Sequence, residues 1–129
     1  TLAMRLILAV IQPTKLDAVR TALARIGVEK LSICDAQGYT RQHGLMEMFR
    51  GRRSRTQLLR KVILEIAVND DFLERTVECI AEVARTGSEG TSGDGKILVL
   101  PIAEAIQIGP TMRGKEAAEM REDPSRHVV

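Results

Sequence analysis

Apolar positions fall along the chain in short, compact blocks. Leu6 to Ile11 (Leu-Ile-Leu-Ala-Val-Ile) is an unbroken apolar run that ends just before Pro13. Such a run predicts a strand buried on both faces. Thr14 then offers a helix cap, with Asp17 in the capping-box position. Leu16, Val19, Leu23 and Ile26 recur at helical spacing, and Gly27 supplies a C-terminal stop. Leu31 to Ala36 reads as a second, more polar strand. Val62 to Val68 reads as a third, apolar except for Glu65. Asn69, Asp70 and Asp71 suit a helix start, and Leu73, Val77, Ile80 and Ala84 form the stripe of a second helix. Lys96 to Leu100 is a fourth strand, and Ala103 to Ile108 a short fifth beyond Pro101.

The order strand, helix, strand is run through twice. Two βαβ units predict an α+β, ferredoxin-like sheet with both helices on one face. The first and third strands are apolar on both faces, and the helices can cover only one. Burying the other predicts self-association. The folded domain is expected over residues 4–108, with 109–129 a polar, flexible C-terminal tail. Gly38 to Leu59 has no clean period and is rich in Arg. A loop of that length (about 38–60) inside a compact domain is the first place to look for function.

Composition narrows the choice. At 129 residues, 44% hydrophobic and 28% charged, the chain suits one folded domain. Aromatic residues make up 2%, too few for a base-stacking platform. The net charge of +2 is too mild to imply a polyanion partner. Arg50, Arg52, Arg53, Arg55, Arg60 and Lys61 are locally basic, but only Phe49 is interleaved with them. They read as a protein-docking loop rather than a nucleic-acid patch. Cys34 and Cys79 make neither a disulfide framework nor a zinc site. They read as small buried hydrophobes in a reducing, cytoplasmic compartment. The apolar stretch Ile7 to Ile11 is too short for a signal-peptide core, and no run approaches the roughly 20 residues of a membrane span.

Material for catalysis is thin. His43 and His127 are far apart, and no metalloprotease or nucleophile-elbow pattern appears. Asp70 and Asp71 are better explained by the helix start, and Glu65 by pairing with Lys61 on the same strand face. Thr86 to Gly95 holds four glycines in ten residues and leads into Lys96. Glycines let successive amides approach one anion, and the Lys can neutralise it. The spacing is not that of a Walker A loop. A phosphate cradle and a flexible helix-to-strand turn both remain open. Gly38 to Gly44 opens the long loop, where Arg41 and Gln42 offer a cation and an amide, or simply a solvated loop start.

Several ordered stretches resemble the PII signal-transduction family. Val10-Ile11-Gln12-Pro13-Thr14-Lys15-Leu16-Asp17 resembles the family's opening strand and helix start. Gly38-Tyr39-Thr40-Arg41-Gln42-His43-Gly44 resembles the Gly-Phe-Gly-Arg-Gln-Lys-Gly that enters its T-loop, and Phe49-Arg50-Gly51 the Tyr-Arg-Gly within it. Thr86-Gly87 and Gly93-Asp94-Gly95-Lys96-Ile97 resemble its B-loop. The resemblance implies a non-catalytic homotrimer with adenine nucleotides bound in clefts between subunits. It also implies that the T-loop docks a membrane transporter or an enzyme. Gly38, Tyr39, Thr40, Arg41 and Gln42 would enter the cleft. Gly87, Gly93, Asp94, Gly95 and Lys96 would wrap the phosphates, and Val10, Ser32 and Ala67 fall where the family holds the adenine.

The departures from the family pattern are specific. Ser88 to Ser92 lengthens the B-loop, and Ser88 replaces a lysine. Gln107 and Gly109 stand where the family has two arginines, leaving Arg113 as their substitute. Ser54 stands near the family's modified tyrosine. These losses imply that ADP or AMP binds at least as well as ATP. They leave the role of Mg open, and they leave room for a bicarbonate-sized anion and an inorganic-carbon input. Nucleotide hydrolysis in the same cleft, a nitrogen- or metal-related input and a nucleic-acid-binding module are the alternatives.

Overall fold

The structure, a computed structural model, describes residues 3–42, 55–109 and 112–113, with the side chains of 39–42, 55–58 and 112–113 set aside. Strand β1 (Met4–Ile11) leads through a 3-10 turn (Pro13–Lys15) into helix α1 (Leu16–Arg25). Strands β2 (Ser32–Gln42) and β3 (Arg55–Asn69) follow, then helix α2 (Asp70–Ala84). A second 3-10 turn (Ser92–Asp94) opens strand β4 (Gly95–Ile102), and short strands β5 (Ile106–Gln107) and β6 (Met112–Arg113) pair with each other. The main sheet runs β2-β3-β1-β4, all pairs antiparallel. This is the expected ferredoxin-like α+β fold.

Alternation along the strands builds the core. Ile7, Ala9 and Ile11 of β1 and Val62, Leu64, Ile66 and Val68 of β3 are buried under the helices. They meet Val19 and Leu23 of α1 and Phe72, Ile80 and Ala84 of α2. The buried stripe of α2 is Phe72, Thr76, Ile80 and Ala84, one position off the expected Leu73 and Val77. A threonine serves in the core because its hydroxyl donates to the Phe72 carbonyl at 2.7 Å, which satisfies its polar group. Residues directly opposite in an antiparallel ladder share a face. The helix-free face therefore carries Leu6, Leu8 and Val10 beside Leu100, Leu98 and Lys96. Leu98 and Leu100 are 44% and 40% exposed there.

Four expectations change. Thr14 caps nothing: Pro13 sets the backbone for a 3-10 turn, and Thr14 lies inside it. The long loop shrinks from both ends, because β2 and β3 pair from Ser32 opposite Glu65 to Gln42 opposite Arg55. What remains of it, residues 43–54, lies outside the described residues, as does Ser54. The chain past Gly109 returns as β6 against β5, so ordered pairing crosses the expected 108/109 boundary. Cys34 is exposed on the edge strand β2 rather than buried. Gly27 does end α1 as read, with φ +93 and its amide donating to the Ala24 carbonyl at 3.1 Å.

Candidate functional site

The glycine-rich segment between α2 and β4 is organised by a single carboxylate. Asp94 Oδ1 accepts from the Thr86 hydroxyl at 2.5 Å and the Thr91 hydroxyl at 3.1 Å. Its Oδ2 accepts from the Thr86 and Thr91 amides, each at 2.8 Å. The Asp94 amide in turn donates to the Thr91 carbonyl at 3.1 Å. The Thr86 hydroxyl and amide, with the Thr91 donors, hold the Asp94 carboxyl well below the usual carboxylate range. The Asp94 carboxylate and amide are thus engaged within the loop, which they shape.

Glycines set where this loop can lie. Gly95 has φ +120, and a Cβ there would stand 1.8 Å from the Val10 carbonyl oxygen. Only glycine permits that approach of β4 to β1. Gly87 and Gly90 also hold positive φ. The Gly93 carbonyl accepts from Lys61 Nζ at 2.6 Å and Gln12 Nε2 at 3.1 Å, which moors the loop to β3 and to the end of β1. Lys61 thus serves the loop and not the expected pairing with Glu65.

A cavity of about 530 Å³ opens beside the loop. It gathers Val10, Asp94, Gly95 and Lys96 of the expected site residues. Gly87 and Gly93 belong to the loop without lining the cavity. The sequence reading missed Arg85, Glu89, Thr91 and Ser92, and the wall of Ile80, Ala81 and Ala84 from α2. Among them only Arg85 carries a signal in the sequence, as a cation immediately before Thr86-Gly87. The structure leaves other expected residues elsewhere. Ser32 lies on the edge strand β2, and Ala67 on β3 opposite Leu6. Gly38 pairs with Leu59, Tyr39 with Leu58, Thr40 with Gln57, Arg41 with Thr56 and Gln42 with Arg55. Arg113 lies in β6 opposite Ile106.

Lys96 and Ser32 occupy opposite edges of the sheet. Lys96 is on β4 and Ser32 on β2, with β1 and β3 between them. Three strand spacings separate them, roughly 14 Å. One subunit does not close a site around both.

The comparisons with known proteins match this architecture along nearly its whole length. The family model for nitrogen regulatory protein P-II matches residues 4–112. The chain is 44% identical over 115 residues to nitrogen regulatory protein GlnK1 of Methanosarcina mazei, covering 89% of this chain and 97% of that protein. It is 43% identical over 105 residues to nitrogen regulatory protein P-II of Rhizobium etli, covering 81% and 91%. Among solved structures it is similar to the B. subtilis GlnK–ATP complex, with a TM-score of 0.74, 29% identity and coverage of 89% and 97%. It is also similar to Arabidopsis thaliana PII bound to citrate, with a TM-score of 0.70, 30% identity and coverage of 89% and 92%. With the family model matching residues 4–112 and relatives 44% and 43% identical along most of the chain, the chain belongs to the P-II family, whose members are regulators rather than enzymes.

Proposed function

We propose that this protein is a homotrimeric regulator that binds an adenine nucleotide between subunits and signals through residues 38–60 to a membrane transporter or an enzyme. The observation that carries this reading is the division of the expected nucleotide contacts between the two sheet edges. Ser32 on β2 and Lys96 on β4 lie on opposite edges of one subunit's sheet, so a site that uses both would form where the edges of neighbouring subunits meet. The exposed Leu98 and Leu100 on the helix-free face supply apolar area for that meeting. Adenine would rest near Val10, Ser32 and Ala67, and the phosphates near Gly93, Gly95 and Lys96. The B. subtilis relative bound to ATP supports an adenine nucleotide as effector. The inorganic-carbon input expected from the sequence finds no counterpart in the relatives cited, which carry nitrogen-regulatory names. Nitrogen status is therefore the input favoured here.

ADP or AMP binds at least as well as ATP in this reading. A γ-phosphate adds charge that needs charge-assisted donors. Gln107 offers only a neutral amide and Gly109 no side chain. Each charged hydrogen bond missing is worth about 1.5–3 kcal/mol, roughly ten-fold or more in affinity. Calorimetry with ADP, AMP and ATP tests the claim. ATP binding about ten-fold tighter than ADP would overturn it. Lys96→Ala is expected to weaken ADP sharply, and no ADP binding by the parent protein would overturn the nucleotide reading itself.

A further inference from the structure

Arg85 has no place in the reading above. It is the residue that follows α2, and it is exposed. Its side chain nevertheless lines the same cavity as Lys96, Thr91 and Gly95. Three features set its position. Lys15 Nζ lies 3.5 Å from its carbonyl oxygen. The next residue, Thr86, is pinned through both its amide and its hydroxyl to Asp94. Its aliphatic stem runs over Gly90, where an added Cβ would stand 2.9 Å from Arg85 Cγ and 3.5 Å from Cδ. The glycine at position 90, itself held at φ +79, leaves room for that stem.

The guanidinium at the end of this seated stem has no hydrogen-bond or ion-pair partner among the described residues, and neither has the ammonium of Lys96. The neighbouring cation Lys61 is already engaged with the Gly93 carbonyl. Arg85 and Lys96 thus line one cavity, and among the described residues the donors of both are unspent. A guanidinium is the side chain best suited to grip two phosphate oxygens at once.

We infer that Arg85, acting with Lys96, is the side chain that holds the β-phosphate of a nucleoside diphosphate, and so selects ADP over AMP. This rests on the nucleotide reading proposed above and names the residue and the phosphate. ADP brings one more phosphate and about one more negative charge than AMP, so two cations lining one cavity match it better. Among the described residues a third phosphate meets no further unspent cation in the cavity, and Glu89, which also lines it, repels the added charge. The pair therefore suits a diphosphate.

Calorimetry on the full chain tests this with ADP and AMP as probes. Arg85→Gln keeps a polar side chain of similar reach and removes the charge. It is expected to weaken ADP about ten-fold or more and AMP by less than about three-fold. Arg85→Lys, which restores a single point charge, is expected to recover at least half of the lost binding free energy. Arg20→Gln, on the outer face of α1, is expected to change neither. Melting curves for each variant report folding. A loss for ADP below about five-fold in folded Arg85→Gln overturns the assignment, and so does an equal loss for AMP. These results leave the nucleotide reading standing if Lys96→Ala still weakens ADP. A parent protein that binds neither nucleotide overturns both.

Discussion

Asp94 shows how one half-buried side chain can order a loop that has no core of its own. Five donors converge on its carboxylate, the fifth being Gln12 Nε2 at 3.3 Å. A carboxyl whose folded pKa is depressed adds stability above its ordinary value, near 3.8, and loses it as pH falls below that value toward the folded pKa. Asp94→Asn is therefore expected to lower the melting temperature at pH 7. The gap to the parent should narrow only below about pH 4. A constant gap from pH 7 to pH 2 would show that the charge is not what orders the loop. Gly95 carries a different burden. Gly95→Ala drives a methyl into the Val10 carbonyl and is expected to cost at least about 2 kcal/mol in urea denaturation. A loss under 0.5 kcal/mol, about the size of a neutral surface change, would mean that β4 can shift without harm.

Among the elements, the β2–β3 ribbon is where sequence and structure part most. β1 pairs with β3 only from Val62 to Asn69. Residues 55–61 and 36–42 continue as two strands beyond it. A two-stranded ribbon without a helix over it needs backbone pairing but no alternation of apolar residues, so its strands leave no period to read. The same holds for β5 and β6, two residues each. Where a strand or helix faces the core, the pattern was legible: β1, the core half of β3, α1 and its glycine stop all stand within a few residues of expectation. Pairing of Gln42 with Arg55 closes the ribbon independently of what lies between. Deleting residues 49–54 is therefore expected to leave the melting temperature within about 3 °C and ADP affinity within about two-fold, while abolishing partner control. Loss of assembly on deletion would count against a signalling role for this segment.

For the whole molecule, the half of the site that was legible is the half that lies in continuous sequence. Gly93-Asp94-Gly95-Lys96 announced itself by glycine spacing, and the structure puts three of the four on one cavity. The α2 wall was hidden, because only the fold brings the end of a helix against the start of β4, and of the residues missed only Arg85 left a trace, as the cation before Thr86-Gly87. Ser32 stands on β2, at the sheet edge opposite β4 and its cavity residues. Burial of the helix-free face, at about 25 cal/mol per Å², strongly favours association. Light scattering is expected to give three times the chain mass at micromolar concentration, and a stable monomer there would refute the trimer.

The two free edges of the sheet, β2 and β4, also bear on how the protein comes into being. Among the described residues, a newly made chain that has folded but found no neighbour displays two rows of unpaired amides and carbonyls, with Ile33 on one and Leu98, Val99 and Leu100 on the other. Such edges accept any strand on offer, including the wrong one. Successful maturation then becomes a race between correct encounter and clumping, and dilution changes the odds of both. Refolding yield should pass through a maximum as chain concentration rises, with orphan monomers lost below it and aggregates above.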